Sequence, residues 1–325
     1  MRIVVTDCDH DSLDVERRVA REGGAELLVA PPGGREELVA AATGADGLVV
    51  QYARVDAALL DALPTVRVVS RYGVGVDTVD VAACTERGVL VCNVPDYGTE
   101  SVSDHAIALA LTAARRIAWM DRSVRAGTAS LDAVRPLHRF AGRVFGVVGL
   151  GLIGAATARK AAGLGYEVIG ADPRYEPGSS VAGVPVVDLP DLLRRSQVIS
   201  LHVPLTDATR GLLGADELAL VRPDAVLVNT GRGGVVDTAA LVDALREGRL
   251  HGAGLDVHDV EPLPTDHPLT ALDTVVLTPH LAWYSEESYE ELKRRTVQNA
   301  VDACAGRRPR DVVNPRVLAD GRAAR

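Results

Sequence analysis

The chain has 325 residues, more than one hydrophobic core comfortably organises, so two domains are expected. Hydrophobic residues at 47% against charged residues at 24% exclude general disorder, and with aromatics at only 3% the core has to be built from Val, Leu, Ile and Ala. A net charge of −9 argues against a nucleic-acid or anionic-membrane surface as the main business, while leaving room for a local basic pocket for a small anion.

In chain order, short apolar runs at 3–6, 26–30, 47–51, 66–71 and 89–93 predict buried strands. Patterns at 13–22, 35–42, 57–62 and 79–87 predict helices between them. Such alternation with short connections implies a parallel sheet covered on both faces, with right-handed crossovers. From 100 to 125 one long Ala- and Leu-rich helix is predicted, ended by Gly127. It reads as a helix running between domains, and its apolar surface suits either a subunit interface or burial within the chain. A second series begins at Arg143. Strands are predicted at 144–148, 167–171, 198–202, 225–229, 252–256 and 274–277, and helices at 153–164, 189–195, 238–247 and 285–305. The last residues, from Ala319, are expected to fray.

Cys8, Cys84, Cys92 and Cys304 are widely spaced, with no Cys-x-x-Cys pair, so reduced buried thiols are expected and no metal site or disulfide framework. The apolar run at the N-terminus is too short for a signal peptide. The longest uncharged stretch, 144–158, is glycine-broken and short for a membrane span. A soluble, cytoplasmic protein is expected.

The segment Gly149-Leu-Gly151-Leu152-Ile153-Gly154 fits a dinucleotide-binding fingerprint, because an apolar strand precedes it and an Ala-rich helix follows. Gly149 permits the tight turn, Gly151 lets the backbone approach a pyrophosphate, and Gly154 allows close helix–strand packing. The helix N-terminus then presents free N–H groups to the phosphates. At the end of the next strand, Asp172 suits the adenosine ribose hydroxyls. That favours NAD over NADP, although Arg174 two residues on weakens the preference.

Three later segments each end a predicted strand: Asn229 to Gly234, Asp256 to Pro262, and Thr278 to Tyr284. Ligands of doubly wound sheets lie beyond the carboxyl ends of strands, so Arg232, Glu261 and His280 can converge. Together they resemble the catalytic motifs of the D-isomer-specific 2-hydroxyacid dehydrogenase family, and the resemblance implies reduction of a 2-oxo acid, which needs a hydride to carbon and a proton to oxygen. His280 suits the proton donor, with Glu261 orienting it and favouring the imidazolium. Arg232 offers a rigid fork of donors to the substrate carboxylate and carbonyl oxygen.

These segments, with Arg71-Tyr72-Gly73-Val74-Gly75, resemble the motifs of the D-isomer-specific 2-hydroxyacid dehydrogenase family, and the resemblance covers nearly the whole chain. Segments 279–286 and 92–95 look most like its C-terminal-binding-protein branch. The resemblance implies an α/β fold of two doubly wound parallel-sheet domains: a flavodoxin-like substrate domain and a Rossmann NAD domain, with a cleft between them. The expected division is 1–98 plus 286–325 for the substrate domain and 99–285 for the NAD domain. It implies an NAD-dependent enzyme, a homodimer, acting on a small 2-oxo or 2-hydroxy acid, with no nucleic-acid or membrane partner.

By resemblance, Arg71 and the backbone N–H groups of Val74 and Gly75 bind the substrate carboxylate. Trp283 and Tyr52 are candidate walls for its side chain, with a domain junction or subunit interface as the other place for Trp283. Val203, Pro204 and Thr209 match the loop under the adenine and phosphates. Thr230, Gly231 and Arg232 match the nicotinamide end, and Asp256 would hold the carboxamide NH₂. One departure is Leu152, where family members often carry a basic residue. The rival reading is an NAD(H)-sensing corepressor-like scaffold with little turnover. His10 has no evident place.

Overall fold

The computed structural model describes residues 1–319. Two compact units emerge: Met1–Gly98 with the chain from Ser285 on, and Thr99–Tyr284.

The first unit alternates β1 (Arg2–Val5), α1 (Asp14–Glu22), β2 (Glu26–Val29), α2 (Arg35–Ala42), β3 (Gly47–Val50), α3 (Ala57–Ala62), β4 (Val68–Arg71), α4 (Val81–Glu86) and β5 (Leu90–Cys92). The strands form one parallel sheet in the order β2-β1-β3-β4-β5. Val4, Leu48, Val50, Val69 and Val91 point to one face, where Leu59, Leu60, Ala83 and Cys84 cover them. The opposite face meets α12 (Glu286–Cys304), which also packs along α1. Ser285 caps α12 by accepting from the Ser288 N–H at 3.1 Å. On β4, the buried Ser70 hydroxyl donates to the Thr296 carbonyl of α12 at 2.7 Å.

The second unit contains α5 (Thr99–Ala114), α6 (Ile117–Arg125), α7 (Leu131–Val134), β6 (Val144–Val148), α8 (Leu152–Gly163), β7 (Glu167–Ala171), β8 (Ser180–Val181), β9 (Val184–Pro185), α9 (Leu189–Arg195), β10 (Val198–Leu201), α10 (Ala215–Leu220), β11 (Val226–Asn229), α11 (Thr238–Arg246), β12 (Gly252–Leu255) and β13 (Val275–Leu277). Six parallel strands run in the order β13-β12-β11-β10-β6-β7. One face is covered by α9, α10 and α11 through Leu192, Leu193, Leu218 and Leu241. The other is covered by α5 and α8, where Ala106, Leu109, Ala110 and Ala113 pack with Ala158, Ala161 and Phe145. Small side chains on both helices let them sit close to the sheet, with Phe145 and Tyr166 as the aromatic filling.

The fold is the expected pair of parallel-sheet α/β units, but several elements differ from the pattern. The single helix predicted over 100–125 is two helices. Arg116 takes a left-handed conformation, φ 50 and ψ 36, and breaks the helix where no Gly or Pro marks it. The first of the two, α5, is a covering layer of the second unit rather than a connector. The ribbon β8–β9 and the short helices α7 and α10 carry too few residues for a periodic signal. Ala319 closes a last short helix, α13 (Arg316–Ala319), rather than fraying, while residues 320–325 of the expected frayed tail lie outside the described residues. No helix among the described residues is long and apolar enough to cross a membrane.

His10, unplaced from the sequence, lies in a buried charged cluster of the first unit. Glu16 has no exposed surface. Its carboxylate faces the Tyr72 hydroxyl at 3.1 Å, His10 Nδ1 at 3.2 Å and Lys293 Nζ at 3.7 Å. The His10 ring sits edge-on to Tyr72 and Tyr289, with centroids 4.6 and 5.1 Å apart. Lys293 is itself buried and lies over the Tyr289 ring. Burial and the Glu16 charge push the Tyr72 phenol well above its ordinary range, so it remains a donor. Removing one member of such a pair leaves an uncompensated buried charge. Lys293→Met is therefore expected to cost about 3–5 kcal/mol in urea unfolding. Arg18→Ala, which breaks an exposed pair with Glu290, should shift stability by less than about 1 kcal/mol.

Candidate active site

The turn after β6 is built by backbone contacts that only glycine allows. Gly149 has φ 92 and donates its N–H to the Ala171 carbonyl at 2.8 Å. A Cβ on Gly154 would overlap the Gly149 carbonyl oxygen, so α8 can approach the strand only with glycine there. Gly151, at the N-cap of α8, is different: a Cβ there would meet nothing within 4 Å. The fold does not need that glycine, so the open space beside it is a cradle that a side chain would fill. Leu152 is 60% exposed and brings no charge, so an anion at this turn is met by backbone N–H groups and the helix end alone. Ile153 is half-buried in the first turn of α8.

Asp172, at the end of β7, fastens the same turn by accepting from the Leu150 N–H at 2.9 Å. Arg174 closes back onto it, with Nε at 2.9 Å and Nη2 at 2.5 Å. That guanidinium, with the N–H groups of Arg174 and Leu150, holds the Asp172 carboxyl down at about 2 against the effect of burial. After β10, Val203 is half-buried and Pro204 starts a turn closed by Thr209, whose hydroxyl donates to the Pro204 carbonyl at 2.5 Å. After β11, the Gly231 N–H donates to the Asn229 side chain at 3.0 Å. The adjacent Thr230 hydroxyl is buried with no hydrogen-bond partner. This orphaned hydroxyl and the space at Gly151 both suit a bound dinucleotide.

Three loops at the carboxyl ends of β11, β12 and β13 meet. The Gly233 backbone lies against that of His258 and Asp259, so closely that a Cβ would overlap the His258 carbonyl. This packs the loop carrying Arg232 onto the loop carrying Glu261. The Asn229 amide donates to the Arg232 carbonyl at 2.9 Å, and the Arg232 Nη1 donates to the Gly231 carbonyl at 2.8 Å. Glu261 accepts from the His258 N–H at 2.9 Å through Oε1 and pairs with His280 Nδ1 at 2.7 Å through Oε2. Burial raises the Glu261 carboxyl, but His280 and the His258 N–H more than offset it, leaving it below its usual range. His280 itself is left-handed, with φ 57.

Asp256, the expected partner of the carboxamide, also anchors a loop. It has no exposed surface. Its Oδ1 accepts from the Thr278 hydroxyl at 2.5 Å and the Leu281 N–H at 3.0 Å, and its Oδ2 from the Ala282 N–H at 2.9 Å. His105 Nε2 adds a contact to the Thr278 hydroxyl at 3.0 Å. Asp256 is thus the anchor of the loop that presents His280. The contribution of His105, on α5, was invisible from sequence because 151 residues separate it from Asp256.

The remaining candidates lie apart along the chain. Trp283 is half-buried and edge-on to Tyr284 at 5.7 Å. In the first unit, Arg71 ends β4 and folds its guanidinium back over Gly73. Val74 is 41% exposed, its carbonyl accepting from the Asn93 amide at 2.7 Å, and Gly75 is half-buried. Tyr52 is 63% exposed, with its hydroxyl 3.2 Å from Asp9.

The chain is similar to a family of dehydrogenases. Residues 107–282 match the model of the D-isomer specific 2-hydroxyacid dehydrogenase NAD binding domain. A glyoxylate reductase of Korarchaeum cryptofilum is 42% identical over 269 residues, 81% of each chain. A D-3-phosphoglycerate dehydrogenase of Mycobacterium leprae is 42% identical over 80% of this chain, which spans 49% of that longer protein. The solved glyoxylate reductase of Paecilomyes thermophila superposes with a TM-score of 0.88 at 27% identity, over 97% of this chain and 99% of that one.

The glycine turn gives a paired expectation. Gly151→Ala should leave the melting temperature unchanged yet weaken NADH binding about tenfold or more, read by reduced-nicotinamide fluorescence. Gly154→Ala should lower the melting temperature itself, because its Cβ has nowhere to go.

Proposed function

Because the chain belongs to the D-isomer-specific 2-hydroxyacid dehydrogenase family, we propose that it reversibly reduces a 2-oxo acid to the D-2-hydroxy acid with His280 as the general acid and base. It is an NAD-dependent oxidoreductase acting on the CH–OH group of a 2-hydroxy acid. The observation that carries the His280 assignment is the 2.7 Å bond between its Nδ1 and the Glu261 carboxylate. That bond fixes the ring and leaves Nε2 as the nitrogen that can exchange a proton with substrate.

NADH, when bound, supplies the hydride. Gly149, Gly151, Ile153 and Gly154 would hold its pyrophosphate, with Leu152 adding no charge. Asp172, Val203, Pro204 and Thr209 would hold the adenosine side, and Thr230 and Gly231 the nicotinamide side. Arg232 donates to the carboxylate and carbonyl oxygen of the oxo acid, polarising the carbonyl as charge develops on oxygen. The His280 Nε2 proton then passes to that oxygen while the hydride adds to carbon, and the reverse step returns both. Glu261 stays ionised throughout and stabilises the charged ring. The likeness to the family's motifs also supports carboxylate binding by Arg71 and the N–H groups of Val74 and Gly75, contact with the substrate side chain for Tyr52 and Trp283, and a carboxamide contact for Asp256 beside its anchoring of the loop. The working form is a cytoplasmic homodimer.

The sequence likeness of segments 279–286 and 92–95 to the C-terminal-binding-protein branch supports a second reading, an NAD(H)-sensing scaffold. Turnover separates the two. NADH oxidation across small, branched, thioether, aromatic, dicarboxylic and phosphorylated 2-oxo acids should find one class converted rapidly. Tight NADH binding with no turnover of any of them would favour the scaffold. For the enzyme, His280→Gln should keep NADH affinity within about twofold and lower kcat by about 10²–10⁴-fold. Near-normal turnover of that variant would remove His280 from the proton step.

A further inference from the structure

The segment from Arg71 to Gly75 leaves β4 with its side chains sent in different directions. Arg71 folds back over Gly73, and Val74 is exposed. Tyr72 is 3% exposed and reaches into the buried cluster of the first unit. Its N–H continues the sheet, donating to the Val50 carbonyl at 2.9 Å, and its hydroxyl donates to Glu16 Oε1 at 3.1 Å. The His10 ring packs edge-on against it, and His10 Nδ1 lies 3.2 Å from the same carboxylate oxygen. Past the tyrosine, the turn is tied on another flank. The Gly73 carbonyl accepts from the Val94 N–H at 3.0 Å, and the Val74 carbonyl from the Asn93 amide at 2.7 Å.

As a source of stability alone the cluster is poorly made. Glu16 has no exposed surface, yet its Oε2 makes no hydrogen bond among the described residues, with Lys293 Nζ 3.7 Å away. Lys293 donates instead to the Ser12 carbonyl. His10 Nε2 is also buried with no hydrogen-bond partner. An apolar core of the same volume would avoid both orphaned atoms, so the polar groups hold an arrangement rather than maximise stability. The arrangement they hold is the tyrosine's. Both directed contacts on Oε1 bear on it, one from its hydroxyl and one from the ring packed against it. Burial and the Glu16 charge keep the phenol protonated, so its hydroxyl stays a donor.

We propose that Tyr72, held by Glu16 and His10, is a positioning residue: it fixes the backbone of residues 73–75 so that the Val74 and Gly75 N–H groups, with Arg71, meet the carboxylate of the 2-oxo acid. The inference rests on the carboxylate role proposed for that segment and is independent of whether His280 is the proton donor. Tyr72 is buried and acts only through the turn that follows it. The substrate carboxylate does not react, so its grip is the same in the ground state and the transition state. Loosening it changes KM and leaves kcat in place.

Steady-state kinetics of the whole chain with NADH and the fastest 2-oxo acid test this, alongside melting curves. Titration of the NADH complex with oxamate, an unreactive 2-oxo acid analogue, gives the same reading without turnover. Tyr72→Phe removes one oxygen and keeps the ring against His10. It should raise KM and the oxamate Kd about tenfold, as expected for one hydrogen bond to a charged group, with kcat and NADH affinity within about twofold. Tyr289→Phe is the matched control, because that hydroxyl donates to Asp11 at 2.9 Å; it should leave KM within about twofold. Glu16→Gln keeps an acceptor for the tyrosine but leaves Lys293 without its counter-charge. It should lower the melting temperature and hold KM within about threefold. Three outcomes would overturn the proposal. Tyr72→Phe leaves KM and oxamate binding unchanged, Tyr289→Phe raises KM as much, or Glu16→Gln raises it as much, so that KM merely follows stability. Absence of turnover, with oxamate still bound about tenfold more weakly by Tyr72→Phe, would overturn the dehydrogenase reading and uphold the positioning role. A wild type that neither turns over a 2-oxo acid nor binds oxamate would remove the carboxylate site and this proposal with it.

Discussion

The carboxylate of Asp256 has no contact with solvent, and ionised groups leave water only when their acceptor positions are filled by the protein. Here most of the filling is done by one loop, through the Thr278 hydroxyl and the N–H groups of Leu281 and Ala282, with His105 Nε2, on helix α5, at 3.5 Å. The same loop holds His280 in a left-handed conformation. For a residue with a Cβ this conformation costs roughly 1–2 kcal/mol and persists only where its surroundings over-determine it. Asp256 supplies that over-determination twice. Its side chain grips the residues after His280, and its backbone carbonyl accepts from the His280 N–H at 2.7 Å. The imidazole then meets Glu261 without having to search for it.

Close backbone approach is the second constraint. Parallel strands release their chains at one end of the sheet, so several loops compete for the same small volume there. Two of the contacts that result are backbone against backbone: Gly154 on Gly149, and Gly233 on His258. Neither tolerates a Cβ, and both set distances that chemistry depends on. One brings the free N–H groups of α8 to the turn. The other brings the Arg232 loop onto the loop that carries Glu261. Gly151 contrasts with both, because a Cβ there would meet nothing within 4 Å.

Buried acids in this chain are paired, and the pairing has different consequences in different places. Glu16, on α1, sits with Lys293 of α12, His10 and Tyr72 and has no exposed surface. That arrangement is costly to break. Asp172 is paired with an arginine whose other side faces water. Solvent there screens the same attraction and lowers the cost of losing it.

The sequence alone determined what depends on local spacing. Alternating apolar runs and helical patterns encode parallel α/β architecture because the inner strands are buried on both faces and each helix on one, while the edge strand β2 stays partly exposed. The glycine turn is legible because backbone clearance leaves a fixed interval of glycines, and strand ends mark where Arg232, Glu261 and His280 emerge. Contacts between residues far apart in sequence leave no such pattern, and these only the tertiary structure decided. The break at Arg116 has no Gly or Pro to announce it. That Asp256 anchors the loop after β13 shows only once the fold wraps residues 278–282 around it. His105 and His10 join their networks from helix and loop positions that carry no periodic mark, and the exclusion of water that gives those networks their strength exists only once the layers have packed.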